Sequence, residues 1–176
     1  NGGLVVQAGC DNAVLLMDLA GRPGFLVQAL VKDEAKLQAI RQTIRDANVG
    51  GPVSAREWSG GTLPYADGLV NLLIVQPGVS VTPAEMDRVL APGGVAMVST
   101  ADGWNKHVRP RPAGLDAWTH MRYDARGNAV SQDTVVGPVR RLSWIGGPKW
   151  SRSHEATASV SAMVASEQRL FYVLDE

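Results

Sequence analysis

Cysteine is almost missing from this chain: Cys10 is the only one in 176 residues. That excludes an internal disulfide framework and a cysteine-based zinc site. Net charge is missing too, because 17 basic and 17 acidic residues cancel. A non-specific nucleic-acid binder needs an electrostatic footprint, so no nucleic-acid partner is expected. No apolar run approaches the roughly 18 residues of a membrane span. No N-terminal stretch has the basic, apolar, small-residue plan of a signal peptide. An initiator Met is also absent; the chain enters an apolar run by Leu4 and stops after the strand-like Leu170–Leu174. The expectation is a piece of a longer protein, and absent targeting signals then say little about location.

What is present is a globular composition. Apolar residues make up 45% and charged residues 19%, enough to bury a core and too apolar for a disordered tail. Residues 1–104 carry 10 acidic and 7 basic residues, and residues 105–176 carry 7 and 10. The first part alternates short apolar runs with helical patterns, while the second is rich in Trp, Arg, Ser and Gly. The predicted organisation is an α/β domain over 1–104, a linker over 105–114 around Arg109-Pro110-Arg111-Pro112, and a β-rich region over 115–176.

Within the first domain, strands are expected at Leu4–Ala8, Phe25–Val31, Val53–Trp58, Leu69–Val75 and Val95–Ser99. Asp11 or Asn12 is placed to cap a helix from Ala13 to Ala20. Asp33-Glu34 opens a second helix, with Leu37, Ile40, Ile44 and Ala47 at helical spacing. Thr82-Pro83-Ala84-Glu85 starts a third with a cap, Pro at the first position and Glu three residues on. Continuous apolar strands between amphipathic helices predict a mostly parallel sheet covered on both faces. Ligands of such sheets bind at the carboxyl ends of the strands. That singles out Gly9, Cys10, Asp11 and Asn12, then Val31 to Asp33, Trp58, Ser59, Gly60 and Gly61, and finally Gln76 to Gly78.

Three segments resemble class I S-adenosylmethionine-dependent methyltransferases. Arg88-Val89-Leu90-Ala91-Pro92-Gly93-Gly94 is similar to the family's R-V-L-K-P-G-G turn. Leu63-Pro64-Tyr65-Ala66-Asp67-Gly68-Leu69-Val70-Asn71 is similar to L-P-F-x-D-x-x-F-D. Val5-Val6-Gln7-Ala8-Gly9-Cys10-Asp11-Asn12-Ala13 stands in the place of V-L-D-L-G-C-G-T-G. The resemblance covers residues 3–99 and implies a Rossmann-like fold. It implies a cofactor site at Gly9, Cys10, Asp11, Val31, Ser59, Gly60, Asn71 and Gln76. The departures are as specific. Gln7 replaces an acid, Asp11 and Ala13 replace glycines, Val31 replaces the acid that holds the ribose, and Asn71 replaces an Asp. A valine makes no hydrogen bond to a hydroxyl, and each lost charged hydrogen bond costs about 1.5–3 kcal/mol. Weak or absent S-adenosylmethionine binding is therefore expected.

Blander roles compete at each position. Gly9 closes a strand-to-helix turn, Cys10 is a small buried residue, and Asp11 and Asp33 are helix caps. A nicotinamide reading fails because only the first glycine of Gly-x-Gly-x-x-Gly is present. His107, His120 and His154 are dispersed, so no metal site is expected.

The stretch Leu115 to Ser131, with Trp118 and Asn128, resembles the opening of pyrroloquinoline-quinone-type β-propellers. Strands at Arg141–Ile145, Ser159–Ala165 and Gln168–Leu174 would make part of a first blade. This resemblance implies the remaining blades of the same protein as partner, with pyrroloquinoline quinone bound only if those blades supply the site. The leading expectation is a methyltransferase-like domain with degraded cofactor chemistry, acting as a structural or small-molecule-binding module of a larger quinoprotein-like protein. Two alternatives stand beside it: an active methyltransferase of unknown small-molecule substrate, and part of a quinone-dependent oxidoreductase. The quinoprotein reading implies an extracytoplasmic location, and an active methyltransferase a cytoplasmic one.

Overall fold

The computed structural model describes residues 2–137, 160–166 and 169–174. The chain divides into two compact units, Asn1–Arg111 and Pro112–Glu176. No helix among the described residues is long and apolar enough to cross a membrane.

In the first unit the chain runs β1 (Gly3–Ala8), α1 (Val14–Ala20), β2 (Phe25–Val31), α2 (Glu34–Asp46), β3 (Val53–Glu57), β4 (Val70–Val75), α3 (Pro83–Val89), β5 (Leu90–Thr100) and β6 (Gly103–Val108). These strands form one sheet in the order β3-β2-β1-β4-β5-β6. The first five are parallel neighbours and β6 returns antiparallel to β5. The runs Leu4–Ala8 and Phe25–Val31 pair directly, with Val6 beside Gln28 and Ala8 beside Leu30.

Strand alternation divides the core between the two faces. Val6, Ala8, Leu30, Leu73 and Val75 point to one side and pack with Met86 and Val89 of α3 and with Trp58 and Leu63 of the long β3–β4 connection. Val5, Val27, Ala29, Val31 and Ile74 point to the other and pack with Leu16 of α1 and Leu37, Ile40 and Ile44 of α2. Near-continuous apolar strands are what burial on both faces requires. Ala47 lies outside this apolar stripe: it is the C-cap residue of α2 and exposed.

Caps decide two helix starts. Asp33 accepts from the Lys36 N–H at 2.9 Å, and Thr82 accepts from the Glu85 N–H at 3.2 Å. The first helix differs from expectation. Its N-cap position is Ala13, with no side-chain cap there; Asn12 Oδ1 accepts from the Val14 N–H at 3.1 Å, and Asp11 turns away to Lys36.

Two boundaries also move. The fifth strand starts at Leu90 rather than Val95, because Leu90 already pairs with Val70 before an irregularity between Val70 and Leu72. Residues 105–108, expected as linker, belong to the sheet. Ala101 and Asp102 form a two-residue turn that folds β6 back onto β5, with Lys106 opposite Met97 and Asn105 opposite Val98.

Among the described residues the second unit contains one antiparallel pair, β7 (Val160–Ser166) with β8 (Arg169–Leu174). Residues 112–137 are irregular apart from a bridge between His120 and Tyr123. They are held by side-chain carboxylates: Asp116 accepts from Gln132 N–H at 2.7 Å and from Ser131 Oγ at 3.2 Å, while Asp133 accepts from Asp116 N–H at 3.0 Å. The Trp118 and Tyr123 rings are tilted at a centroid distance of 5.7 Å. The expected strand at Arg141–Ile145 and the loop around His154 lie outside the described residues.

Candidate functional site

Strand order reverses between β1 and β4: the chain builds β1, β2 and β3 in one direction and then crosses to β4 and β5 on the other side. Such a switch point opens a crevice at the carboxyl ends of the strands, where ligands of parallel sheets bind. The sheet brings most of the expected residues to that end. Gly9 and Cys10 donate their N–H groups to the Leu30 carbonyl at 3.0 and 3.1 Å, Gln76 donates to Ala8 at 3.0 Å, and Trp58 donates to Val31 at 2.9 Å. Gly9, Cys10, Asp11, Val31, Gln76 and, through Trp58, the Ser59-Gly60 turn therefore share one end of the sheet.

Asn71 is not among them. It is the second residue of β4 and lies at the amino end, about 16 Å of strand from Gln76. Its Oδ1 accepts from the Leu4 N–H of β1 at 2.9 Å, at the start of the β1–β4 ladder. The structure does not bring Asn71 together with the other expected site residues.

Gly9 sits at φ 81°, a left-handed conformation that side chains rarely adopt. A Cβ there would lie 2.3 Å from Val79 Cγ2, so the β4–α3 loop closes directly over this turn. Cys10 is buried, donates its Sγ hydrogen to the Asn12 carbonyl at 3.0 Å, and has its pKa pushed up to about 11 by burial. A thiol held protonated in this way is no nucleophile. Asp11 pairs with Lys36 Nζ at 2.6 Å, and the Asp11 carboxylate raises the Lys36 pKa by accepting its hydrogen bond. Val31 is 1% exposed and packs in the α2-side core. Ser59, Gly60 and Gly61 form an exposed turn, closed by the Trp58 indole N–H on the Thr62 carbonyl at 3.1 Å.

Gln7 is the residue that sequence reading underweighted. It is only 5% exposed, lies two positions before Gly9, and its Oε1 has no hydrogen-bond partner. The long connection beside the site is pinned by Arg88. Its guanidinium donates to the Leu63 and Tyr65 carbonyls at 2.9 and 2.8 Å, to Asp67 at 2.8 Å and to Glu85 at 2.6 Å. Glu85 closes no capping box; it accepts instead from the Leu63 N–H at 2.6 Å. Among the described residues no group of three or more His, Cys, Asp or Glu is placed to hold a metal ion.

No protein-family profile matches the sequence, and no curated protein does. Solved structures do match. A Methanococcus maripaludis protein classed as an S-adenosyl-L-methionine-dependent methyltransferase shares 20% identity at a TM-score of 0.51, over 56% of this chain and 48% of its own. The fold is that of class I S-adenosylmethionine-dependent methyltransferases. A geranyl diphosphate methyltransferase solved with S-adenosylmethionine matches this methyltransferase fold at 22% identity and a TM-score of 0.50, over 55% of this chain and 41% of its own. The Streptomyces coelicolor geranyl diphosphate C-methyltransferase, solved with S-adenosyl-L-homocysteine, gives 19% identity and a TM-score of 0.50 over 55% and 38%. The chain thus spans half or less of the length of these structures. None of the three is described as a quinoprotein or a propeller, and the propeller resemblance gains no support from them.

The residues at the carboxyl end do not fit S-adenosylmethionine, the cofactor that the family resemblance implies. The position that the family resemblance gives to a ribose-binding acid is Val31, with its side chain in the core. Two nearby acids are engaged, Asp33 on the α2 backbone and Asp11 on Lys36, while Glu57 stands beside Val31 on β3. Neither loop glycine is present at Asp11 and Ala13.

Proposed function

We propose that the first unit is a nucleoside-binding module on a methyltransferase fold, weakened in its hold on S-adenosylmethionine and working within a larger protein. The observation that supports this most is Val31. A hydrophobic side chain committed to the α2 core cannot accept a hydrogen bond, and Asp33 and Asp11 are engaged elsewhere. The chemistry on offer is alignment alone, since the buried Cys10 thiol is held protonated. Titration calorimetry of the full chain with S-adenosylmethionine is expected to show no binding tighter than about 100 μM. A low-micromolar dissociation constant would restore the reading as an active methyltransferase.

A further inference from the structure

One half of the sheet lacks a covering layer on one face. Ile74 of β4 packs in the α1/α2 core, and Met97, its neighbour on β5, points to the same face. Pairing carries that face onto β6, where Lys106 stands opposite Met97, Val108 opposite Val95 and Trp104 opposite Ser99. Trp104 is 50% and Val108 46% exposed, and Val95 and Met97 belong to neither core. The helices α1 and α2 pack on β2 and β3, and α3 packs on the opposite face. Among the described residues no helix is left to cover β5 and β6 on this side. Parallel sheets persist with both faces covered, and the covering layer is helical.

The same side of the molecule carries a helix stripe with nothing packed on it. Val14 of α1 is 75% exposed, and Asp18, one turn on, has a side chain 66% exposed. Met17 beside them is half-buried. An apolar stripe with one carboxylate matches an apolar sheet face with one ammonium, since Lys106 is exposed and forms no ion pair among the described residues. Within one chain the two cannot meet, because α1 already lies on its own half of the sheet. A two-fold axis parallel to the strands brings them together. It turns a second sheet over, so that each α1 falls on the open half of the other copy and both helices lie side by side between the sheets. The two Lys106 side chains then stay apart, on opposite sheets.

From this we infer that the chain forms a two-fold dimer in which α1 of each copy covers β5 and β6 of the other, with Asp18 pairing across to Lys106. The test is sedimentation equilibrium of the full chain from about 1 to about 100 μM, the range of a micromolar dissociation constant. A species of twice the 18.7 kDa of one chain is expected. Trp104→Glu and Val14→Glu change exposed positions, so each should raise the dissociation constant at least roughly tenfold and leave the melting temperature nearly unchanged. Lys106→Asp and Asp18→Lys should each weaken the dimer roughly tenfold, since the symmetry breaks the pair twice. Both reversals in one chain should restore it, because each contact then regains opposite charges. A native chain that stays monomeric over this range overturns the inference. So does self-association that Trp104→Glu and Val14→Glu leave unchanged, which would place the contact on another surface such as β8. A double reversal no tighter than either single one removes the Asp18–Lys106 pairing, and the arrangement of α1 on β6 with it.

Discussion

At the scale of single residues, Gly9 and Asp11 do different work although they stand two positions apart. Gly9 is a packing requirement: its α-hydrogen side faces Val79, and its φ of 81° excludes most side chains. Gly9→Ala adds a clash to a strained backbone, and we expect a loss of about 2 kcal/mol in urea unfolding. A loss below about 0.5 kcal/mol would mean that the β4–α3 loop moves aside freely. Asp11 makes an exposed ion pair with Lys36, an interaction that contributes little to stability in water. Asp11→Gly should therefore barely change the melting temperature. Combined with Val31→Asp, it should tighten S-adenosylmethionine binding by roughly tenfold or more if the site is merely degraded. Val31→Asp alone places a carboxylate against the core packed by Leu37 and Ile40, so the double variant must first be shown folded by circular dichroism.

Among the elements, α3 and the connection before β4 act together through Arg88. One guanidinium satisfies two carbonyls and two carboxylates. Arg88→Met removes the donor to the Tyr65 carbonyl, leaves the Leu63 carbonyl with the Tyr65 N–H alone, and should cost about 2 kcal/mol. The same contact gives an acid-sensitive stability. Arg88 hydrogen bonding holds the Glu85 pKa below its usual 4.5. The folded state thus binds the Glu85 proton less readily than the unfolded one. The stabilisation is complete above the unfolded value and fades as pH falls through the lower folded value. Urea midpoints measured from pH 6 to pH 3 should fall less steeply for Glu85→Gln than for the native chain. Parallel slopes would show that Glu85 contributes nothing to acid unfolding. Next to Arg88 on α3, Asp87 meets His107 of β6 at 2.7 Å, a contact invisible while residues 105–108 were read as linker.

For the whole molecule, the two units differ in how much each buries. The first has a sheet with core on both faces, and β1 and β4 lie at its centre. In the second, Leu170, Phe171, Tyr172 and Val173 are all exposed, so neither face of β8 is covered. Among the described residues no third strand joins this pair, and two strands by themselves are marginally stable in water. Amide hydrogen exchange in residues 160–166 and 169–174 should therefore be far faster than in Val5–Ala8 and Leu72–Val75. Equal protection would mean that the second unit buries a core of its own, and the first-blade expectation would have to be given up. An uncovered, β-prone run such as Leu170-Phe171-Tyr172-Val173 is also an aggregation hazard.

Local signals in the chain settled most of the first unit. Apolar runs of strand length and the caps Asp33 and Thr82 act over a few residues, and each reads correctly without neighbours, whereas Pro92-Gly93-Gly94, read as a turn, lies inside β5. A parallel sheet then sends every strand's carboxyl end the same way, so Gly9, Val31, Gly60 and Gln76 could be placed together from order alone. Contacts between distant segments were beyond that reach. Asn71 lies at the other end of β4, because its place depends on the register that sets it against Leu4 of β1. The β5–β6 hairpin was missed because β6 is polar and exposed, and its order comes from pairing with β5 rather than from its own residues. The Asp11–Lys36 bridge, the seat of Val79 on Gly9 and the unpaired oxygen of Gln7 each join parts of the chain that meet only after the helices have packed. Burial and partnership belong to the packed molecule, so tertiary structure alone decided which polar groups at the strand ends are partnered and which are not.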